Sequence, residues 1–331
     1  MRRARRAAAA ATWGAADARS RWLQMRRAVL RAGKSASCLA VPRRPWLECS
    51  FGYAVLICTP GDLLLDVIVR LEQQLEAAAD ASAVTRVGAG GQAANVAAWA
   101  AELGARARFV GKRANDAAER LAAGLLEGYG VTVLGPVAAG RTGVVVSLVA
   151  PDGERTMASD RGVAPDLRAE EVDEAWFDGC SHLHVSGYGL LRSPIDEAAA
   201  RAVRTARTLK ATVSVDLASW AAIRNFGSRR LRRRLEALAP DVLFANERER
   251  DALGGELAAG TAVLKRGAAR YVIERGETRL ELAALPGDVV DSTGAGDAVA
   301  AGFLLGGSPA EAGLRGLEAA RRCVAKLGGM P

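Results

Sequence analysis

The sequence predicts a doubly wound α/β fold: a mostly parallel sheet flanked by helices, with a small separate antiparallel sheet as a lid. Three observations predict it. Short apolar strands alternate with helical patterns of about 10–15 residues through the second half of the chain, the rhythm of a parallel sheet. Half of the 331 residues are hydrophobic and a quarter are charged, enough to bury a large core. Four alternating segments, near 66–71, 83–88, 144–149 and 155–159, break the rhythm and are expected to pair with one another.

The elements follow in order. YAVLIC (53–58) is a short apolar run before Pro60-Gly61 and reads as a buried strand. DVIVRL (66–71) alternates as an exposed strand does. QAANVAAWAAEL (92–103) is small and apolar on nearly all sides, so it reads as a buried helix. ARFVG (107–111) is a strand, and DAAERLAAGLLEG (116–128) is a helix with periodic Leu. VVVSLV (144–149) and RTMAS (155–159) flank Pro151-Asp152-Gly153, a hairpin turn. SHLHVSG (181–187), TVSVD (212–216) and DVLFAN (241–246) are strands, as are segments near 261–265 and 270–274. Helices are expected over 194–209, around 228–237, briefly from 247, and over 297–306 and 309–327.

The net charge of +8 invites a nucleic-acid reading until it is located. Residues 1–52 hold 12 Lys/Arg against Asp17 and Glu48, and the remainder carries a net −2. The basic character belongs to a leader, and the body over 53–329 is nearly neutral, so no nucleic-acid partner is expected. The leader lacks the apolar core of a secretory signal. Its Arg-rich, acid-poor make-up is shared with organellar transit peptides, but the Ala/Arg usage of the whole chain points to a dispensable or wrongly included leader, with Met25 as an alternative start. No apolar run is long enough to span a membrane, and the expected location is cytoplasmic.

Five scattered cysteines without a CxxC argue against a disulfide framework or a zinc site. The only histidines, His182 and His184, face the same side of one strand; with no third ligand in view, a metal there is disfavoured. Chemistry must therefore rest on carboxylates, backbone N–H groups and oxygen-bound metal.

Four patterns supply these. Asp291-Ser292-Thr293-Gly294-Ala295-Gly296-Asp297 is a glycine-rich turn opening a helix. Its first N–H groups have no helical partner and attract an anion. Asp297 beside them suits orientation or deprotonation of an attacking hydroxyl, and the helix terminus is expected to lower its pKa. The alternative is an Asp N-cap after a glycine turn. Gly90-Gly91-Gln92-Ala93-Ala94-Asn95 opens the buried helix and puts an amide among alanines, which calls for a polyol or a neighbouring loop as partner. Asp62 and Asp66 follow the first strand, at the end where open α/β sheets bind ligands; solvated strand-end acids are the alternative. Asn246 and Glu249 share a helix face, as a capping box or as an oxygen pair for Mg²⁺, and both can hold at once. The Arg229–Arg234 cluster reads as a solvated helix face or an anion-contacting surface. Neither Gly33-Lys34-Ser35 nor Gly111-Lys112 completes a P-loop. Gly88-x-Gly90-x-x-Ala93 weakly matches a dinucleotide fingerprint and supports an alternative, a nicotinamide-dependent oxidoreductase.

In this order — GxxxxD after the first strand, GGxxxN, N-x-x-E after a late strand, then D-[ST]-x-G-A-G-D — the motifs resemble the ribokinase-like (PfkB) carbohydrate kinases over roughly 53–329. The resemblance implies ATP- and Mg²⁺-dependent phosphorylation of a hydroxyl on a sugar or sugar acid. Asp297 would be the base, with the Gly294, Ala295 and Gly296 backbone as anion hole. Asp66, Gly90, Gly91 and Asn95 would bind the sugar. Asn246, Glu249 and Thr293 would organise ATP and Mg²⁺, the metal held through Glu249 and water, and Lys265-Arg266-Gly267 would contact the nucleotide. The Asp291–Thr293 region resembles a monovalent-cation loop that takes K⁺ in some members. Many members are homodimers through the lid. Two departures stand out. Lys112–Asp116 replaces a glycine-containing turn and receives no site role. Arg161-Gly162 lies where a lid residue meets substrate, and an Arg there favours an acidic sugar such as 2-keto-3-deoxygluconate. A non-catalytic sugar sensor on the same fold is the further alternative.

Overall fold

The structure, a computed structural model, describes residues 55–152, 155–267 and 269–331. The leader expected over 1–52 and the start of the YAVLIC strand lie outside the described residues.

The first strand, β1 (Leu56–Pro60), is wholly buried and runs through Pro60 rather than stopping before it. The chain then makes β2 (Leu64–Leu71) and β3 (Ala83–Gly90) and enters α1 (Gln92–Glu102). Residues Ala93 to Ala100 of α1 are all buried, as its small apolar sides require. β4 (Arg106–Val110) and β5 (Arg113–Ala114) precede α2 (Ala117–Gly128), whose N-cap Asp116 accepts from the Glu119 N–H. β6 (Val131–Leu134), β7 (Val137–Ala138), β8 (Thr142–Val149) and β9 (Arg155–Gly162) follow. The remainder alternates: β10 (His182–Ser186), α3 (Ile195–Thr208), β11 (Thr212–Asp216), α4 (Trp220–Phe226), α5 (Ser228–Leu238), β12 (Val242–Asn246), α6 (Glu247–Leu253) and β13 (Thr261–Lys265). β14 (Arg270–Arg275) and β15 (Thr278–Ala283) form an edge hairpin before α7 (Ala295–Leu304) and α8 (Pro309–Val324).

Among the described residues, nine strands form one sheet in the order β15-β14-β13-β12-β11-β10-β1-β4-β6. Every pair from β13 to β6 is parallel, and only the β13–β14 and β14–β15 pairs are antiparallel. The chain winds outward from β1 in both directions, so the strand order reverses between β1 and β10, where open α/β sheets bind ligands. His182 and His184 are buried in this sheet and both hydrogen-bond Ser214 Oγ, at 2.9 and 2.7 Å. Burial pushes them down to about 3 and about 4, so they are neutral sheet-core residues.

A second sheet has the order β3-β2-β8-β9 and contains the four segments that break the α/β rhythm. Two of its pairings are antiparallel and the central one, β2 with β8, is parallel. Its strands start earlier or end later than the sequence suggests. Leu64 and Leu65 pair with Gly90 and Ala89, which extends β2 into GDLLLD, and β9 runs on to Gly162. Along β8 the odd positions Val145, Ser147 and Val149 are buried, while Val144, Val146 and Leu148 are half-exposed. One face of the lid therefore packs on the body and the other is an apolar surface.

The nicotinamide alternative fails on this topology. Gly88 and Gly90 lie within β3 of the lid, paired antiparallel to β2, and not in a turn between a parallel strand and its helix.

Candidate active site

The C-terminal ends of the parallel strands bring the chemistry together. Asp216 ends β11, Asn246 ends β12 and Lys265 ends β13, and all three open on one edge of the sheet. Lys265 Nζ pairs with Asp216 Oδ2 at 2.5 Å, with Asp216 fully buried and Lys265 nearly so. Burial acts to lower the Lys265 pKa, but the Asp216 and Glu249 carboxylates outweigh it and hold the ammonium above its ordinary value. The pair fixes the Lys265 ammonium at the sheet edge.

α7 begins opposite. Gly294 is its N-cap at φ 72, a conformation that suits glycine. A Cβ there would lie 2.4 Å from Gly329 Cα, so the turn is also closed to any side chain. The helix starts at Ala295, two residues earlier than expected, which puts Ala295, Gly296 and Asp297 in the first turn. Their N–H groups have no helical acceptor. That of Ala295 reaches back to the Ser292 carbonyl at 3.3 Å, so Gly296 and Asp297 supply the donors best free to meet an anion. Lys265 Nζ would be 3.0 Å from a Cβ on Gly296, so the ammonium and the helix start flank the same space.

Asp297 lies between this helix start and α1. Asn95 Nδ2 donates to Asp297 Oδ2 at 2.7 Å, and Gln92 also hydrogen-bonds the carboxylate. The sequence expectation of a lowered pKa is reversed. Burial, reinforced by Asp216, pushes Asp297 up to about 7 against the amides and Lys265. Desolvation in the cleft, with the like charge of Asp216 added, outweighs the helix terminus. Gln92 is fixed by the Ser186 hydroxyl, which donates to its Oε1 at 2.5 Å from the end of β10. Gly91 turns the chain into α1 at φ 97, and a Cβ there would meet the Asp62 carbonyl at 2.4 Å. No side chain fits between the two GD and GG turns.

The lid adds Asp66, which lies against the backbone of Gly90, and whose carboxyl burial pushes up to about 6. Arg161 at the end of β9 makes a two-pronged contact with Asp62, Nε to Oδ2 at 2.5 Å and Nη2 to Oδ1 at 2.9 Å, and lies over the Tyr188 ring. Its charge is thus met from within, which weakens the case for an acidic sugar. Lys112 and Arg113, without an assigned role, pair with Glu171 and Glu119.

Asn246 and Glu249 form a closed capping box. Asn246 Oδ1 accepts from the Glu249 N–H, and the Glu249 carboxylate accepts from both the backbone N–H and the Nδ2 of Asn246. Glu249 is buried, and burial raises its pKa. Arg266 pairs with Glu247 at 2.5 Å, and Gly267 follows at φ 57. Among the described residues no cluster of three His, Cys, Asp or Glu could hold a metal unaided. The donor set is two hard carboxylates, Asp216 and Glu249, beside an anion-binding edge, which fits a Mg²⁺ bound through water and phosphate oxygens.

The Asp291 loop is filled differently. Asp291 Oδ1 accepts from the N–H and Oγ1 of Thr293 at 2.9 and 2.6 Å, and Oδ2 accepts from the Gly328 N–H at 2.9 Å. Arg155 of β9 hydrogen-bonds Thr293 Oγ1 and lies 3.5 Å from Asp291 Oδ1. A guanidinium already sits on the carboxylate, and this donor set does not fit a K⁺ ion.

Residues 56–330 match the family described as pfkB family carbohydrate kinase. The chain belongs to that family. A carbohydrate kinase moves a phosphoryl group to a hydroxyl acceptor, so the chain is a phosphotransferase and the sensor alternative lapses. The chain is 34% identical over 262 residues to an ATP-dependent ribose-1-phosphate kinase of Halopiger xanaduensis, covering 76% of this chain and 84% of that protein. Its fold is that of an adenosine kinase from Sinorhizobium meliloti (TM-score 0.73, 24% identity, 85% of this chain and 96% of that chain). It is also that of a ribokinase II from E. coli in complex with ATP and Mg²⁺ (TM-score 0.72, 18% identity, 84% and 95%). Among the described residues no helix is long and apolar enough to cross a membrane.

Several residues of this carbohydrate kinase site escaped the sequence reading. Asp216 ends a strand, the position that singled out the acids after β1 in the sequence, and could have been found by the same signal. Gln92 stands inside the GGQAAN motif. Arg155 and the segment 327–330 carry no local signal; only the fold brings them to the site.

Proposed function

We propose that this kinase phosphorylates a hydroxyl of a ribose-sized sugar, with Asp297 as the base and the α7 amides as the anion hole. The observation that carries the reading is the placement of Asp297 between Asn95, on the sugar side, and the Lys265–Asp216 pair, on the nucleotide side. With a pKa near 7, Asp297 is ionised above neutral pH and can accept the proton of the attacking hydroxyl. The amides of Gly296 and Asp297, with Lys265, face the charge that develops on the transferred phosphoryl group. Ala295 and Gly294 shape that turn. Asp66, Gly90, Gly91 and Asn95 would hold the sugar hydroxyls: Asn95 Oδ1 is buried without a hydrogen-bond partner, an acceptor suited to one of them. Arg161 would close the lid over the sugar while anchored on Asp62. Asn246, Glu249, Lys265, Arg266, Gly267 and Thr293 would border the nucleotide. Mg²⁺, when bound, would neutralise phosphate charge. Ribose 1-phosphate is the first acceptor to test, since 34% identity to a ribose-1-phosphate kinase extends over 84% of that relative.

The apolar outer lid face supports a homodimer. Leu65 pairs with Val144, Val67 with Val146 and Val69 with Leu148, which makes a continuous half-exposed stripe. Val146→Glu should shift the protein to monomer in sedimentation. A cytoplasmic location without nucleic-acid partners completes the reading.

The test is ADP release with ribose 1-phosphate, ribose, fructose, adenosine and 2-keto-3-deoxygluconate, for the wild type and Asp297→Asn. Sugar-stimulated ADP release by the wild type, lost in the variant, is expected. Equal turnover in both proteins would remove Asp297 from its role. Preference for 2-keto-3-deoxygluconate would overturn the ribose reading.

A further inference from the structure

The loop before the anion hole carries a buried carboxylate whose partners come from three parts of the chain. Asp291 is 4% exposed at its side chain. Its own loop satisfies Oδ1 through Thr293, and the segment after α8 satisfies Oδ2 through Gly328. These neutral donors contribute most to holding the carboxylate ionised, and a cation beside it adds to them. The only cationic side chain paired with it among the described residues is Arg155, which comes from the lid. Arg155 bonds Thr293 Oγ1 as well, so the guanidinium spans acid and hydroxyl. Thr293 precedes Gly294, the N-cap of the helix that presents the anion-binding amides.

We propose that Arg155 is a built-in cation: its guanidinium takes the position at Asp291 that a monovalent metal ion would take, orders the 291–294 turn, and makes phosphotransfer independent of K⁺. Arg155 is a positioning residue, acting on the anion hole through Thr293 and Gly294. It also ties lid strand β9 to the turn, so lid and anion hole move as one unit. The disagreement with the expected K⁺ loop is thus a substitution of one cation for another. The proposal rests on the reading of the α7 amides as the anion hole.

The experiment compares the wild type, Arg155→Gln and Arg155→Lys in KCl and in tetramethylammonium chloride at equal ionic strength. Thermal melting and ADP release are both read. The wild type should turn over at the same rate in the two salts, within about twofold, and K⁺ should leave its Tm unmoved. Arg155→Gln should lose about 10- to 100-fold in kcat, the scale of a misplaced positioning group. K⁺ or added guanidinium ion should restore part of both kcat and Tm in that variant. Arg155→Lys should retain most of the wild-type Tm. Activation of the wild type by K⁺, or a K⁺-dependent rise in its Tm, would overturn the proposal, as would an Arg155→Gln protein with wild-type kcat and Tm. Should Arg155→Gln not fold, the wild-type salt comparison and Arg155→Lys still decide. The melts need no turnover: a wild-type Tm indifferent to K⁺ in a protein inactive on every sugar would count against the acceptor reading alone.

Discussion

At the sheet edge, three carboxylates (Asp216, Glu249 and Asp297) crowd round one lysine, and both Asp297 and Glu249 are pushed up in pKa. On the inner face of the lid the balance is inverted. Arg161 meets Asp62, Arg155 meets Asp291, and Arg86 donates to the Leu327 carbonyl at 2.5 Å, so each guanidinium has its partner on the body. The edge holds negative charge that is incompletely compensated until a cation arrives. The lid's guanidinium groups are already engaged, whereas its inward carboxyl, Asp66, is pushed up to about 6 by burial. Unmet charge is a feature of groups that react, and met charge is a feature of groups that fasten.

This contrast predicts that edge substitutions change kcat and that Arg161, the lid residue beside the sugar, changes KM, while Arg155 acts on kcat through the anion-hole turn. The largest effect is expected at Asp297. Asp297→Asn should lower kcat by about 10²- to 10⁴-fold, the usual range for a lost general base. It should also melt higher than the wild type at pH 8. The sign follows from linkage: the folded pKa, about 7, lies above the unfolded value, so ionisation destabilises the fold as pH rises between the two. The gain in Tm should vanish toward pH 4. A lower Tm at pH 8 would show that Asp297 is matched after all.

Next is Lys265→Met, which leaves the buried Asp216 alone and should cost about 3–5 kcal/mol in denaturant unfolding. Adding Asp216→Asn should recover part of it. The lid comes third. Arg161→Gln breaks the pair with Asp62 and should raise the sugar KM by about tenfold with kcat nearly unchanged, the scale of one charge-assisted hydrogen bond. A fall in kcat instead would erase the distinction between the edge and Arg161. The smallest effect is in the pH profile. kcat/KM should fall below about pH 7 with Asp297 and more steeply below about pH 6 with Asp66. Asn95→Ala removes a hydrogen bond that holds Asp297 down and should move the upper limb to higher pH.

The doubly wound body was legible because its buried strands are apolar runs that period and turn residues bound clearly. β15 was missed because TRLELA is a charged, exposed edge strand, and β6 because VTVL is four residues before a glycine. The glycine-rich motifs announced Asp297, Asn95 and Asp66, since a backbone that must approach a ligand restricts the residues allowed. Arg155 and residues 327–330 were illegible because they act across more than 130 residues of chain, Arg155 on Thr293 and Leu327 on Arg86. The pKa of Asp297 was misjudged for the same reason. The helix start is local and readable, whereas Asp216 and the enclosing cleft are assembled by the fold.

Trp99 gives the site an optical handle. Its indole N–H donates to the Gly329 carbonyl at 2.8 Å, and Arg322 and Lys326 stand over its ring, each 5.5 Å from the centroid. Gly329 in turn presses on Gly294 and lies beside Asn95. Any shift of that segment on sugar or nucleotide binding would alter the polarity around a fully enclosed fluorophore, so in a variant without the other five tryptophans the emission of Trp99 can report occupancy in real time.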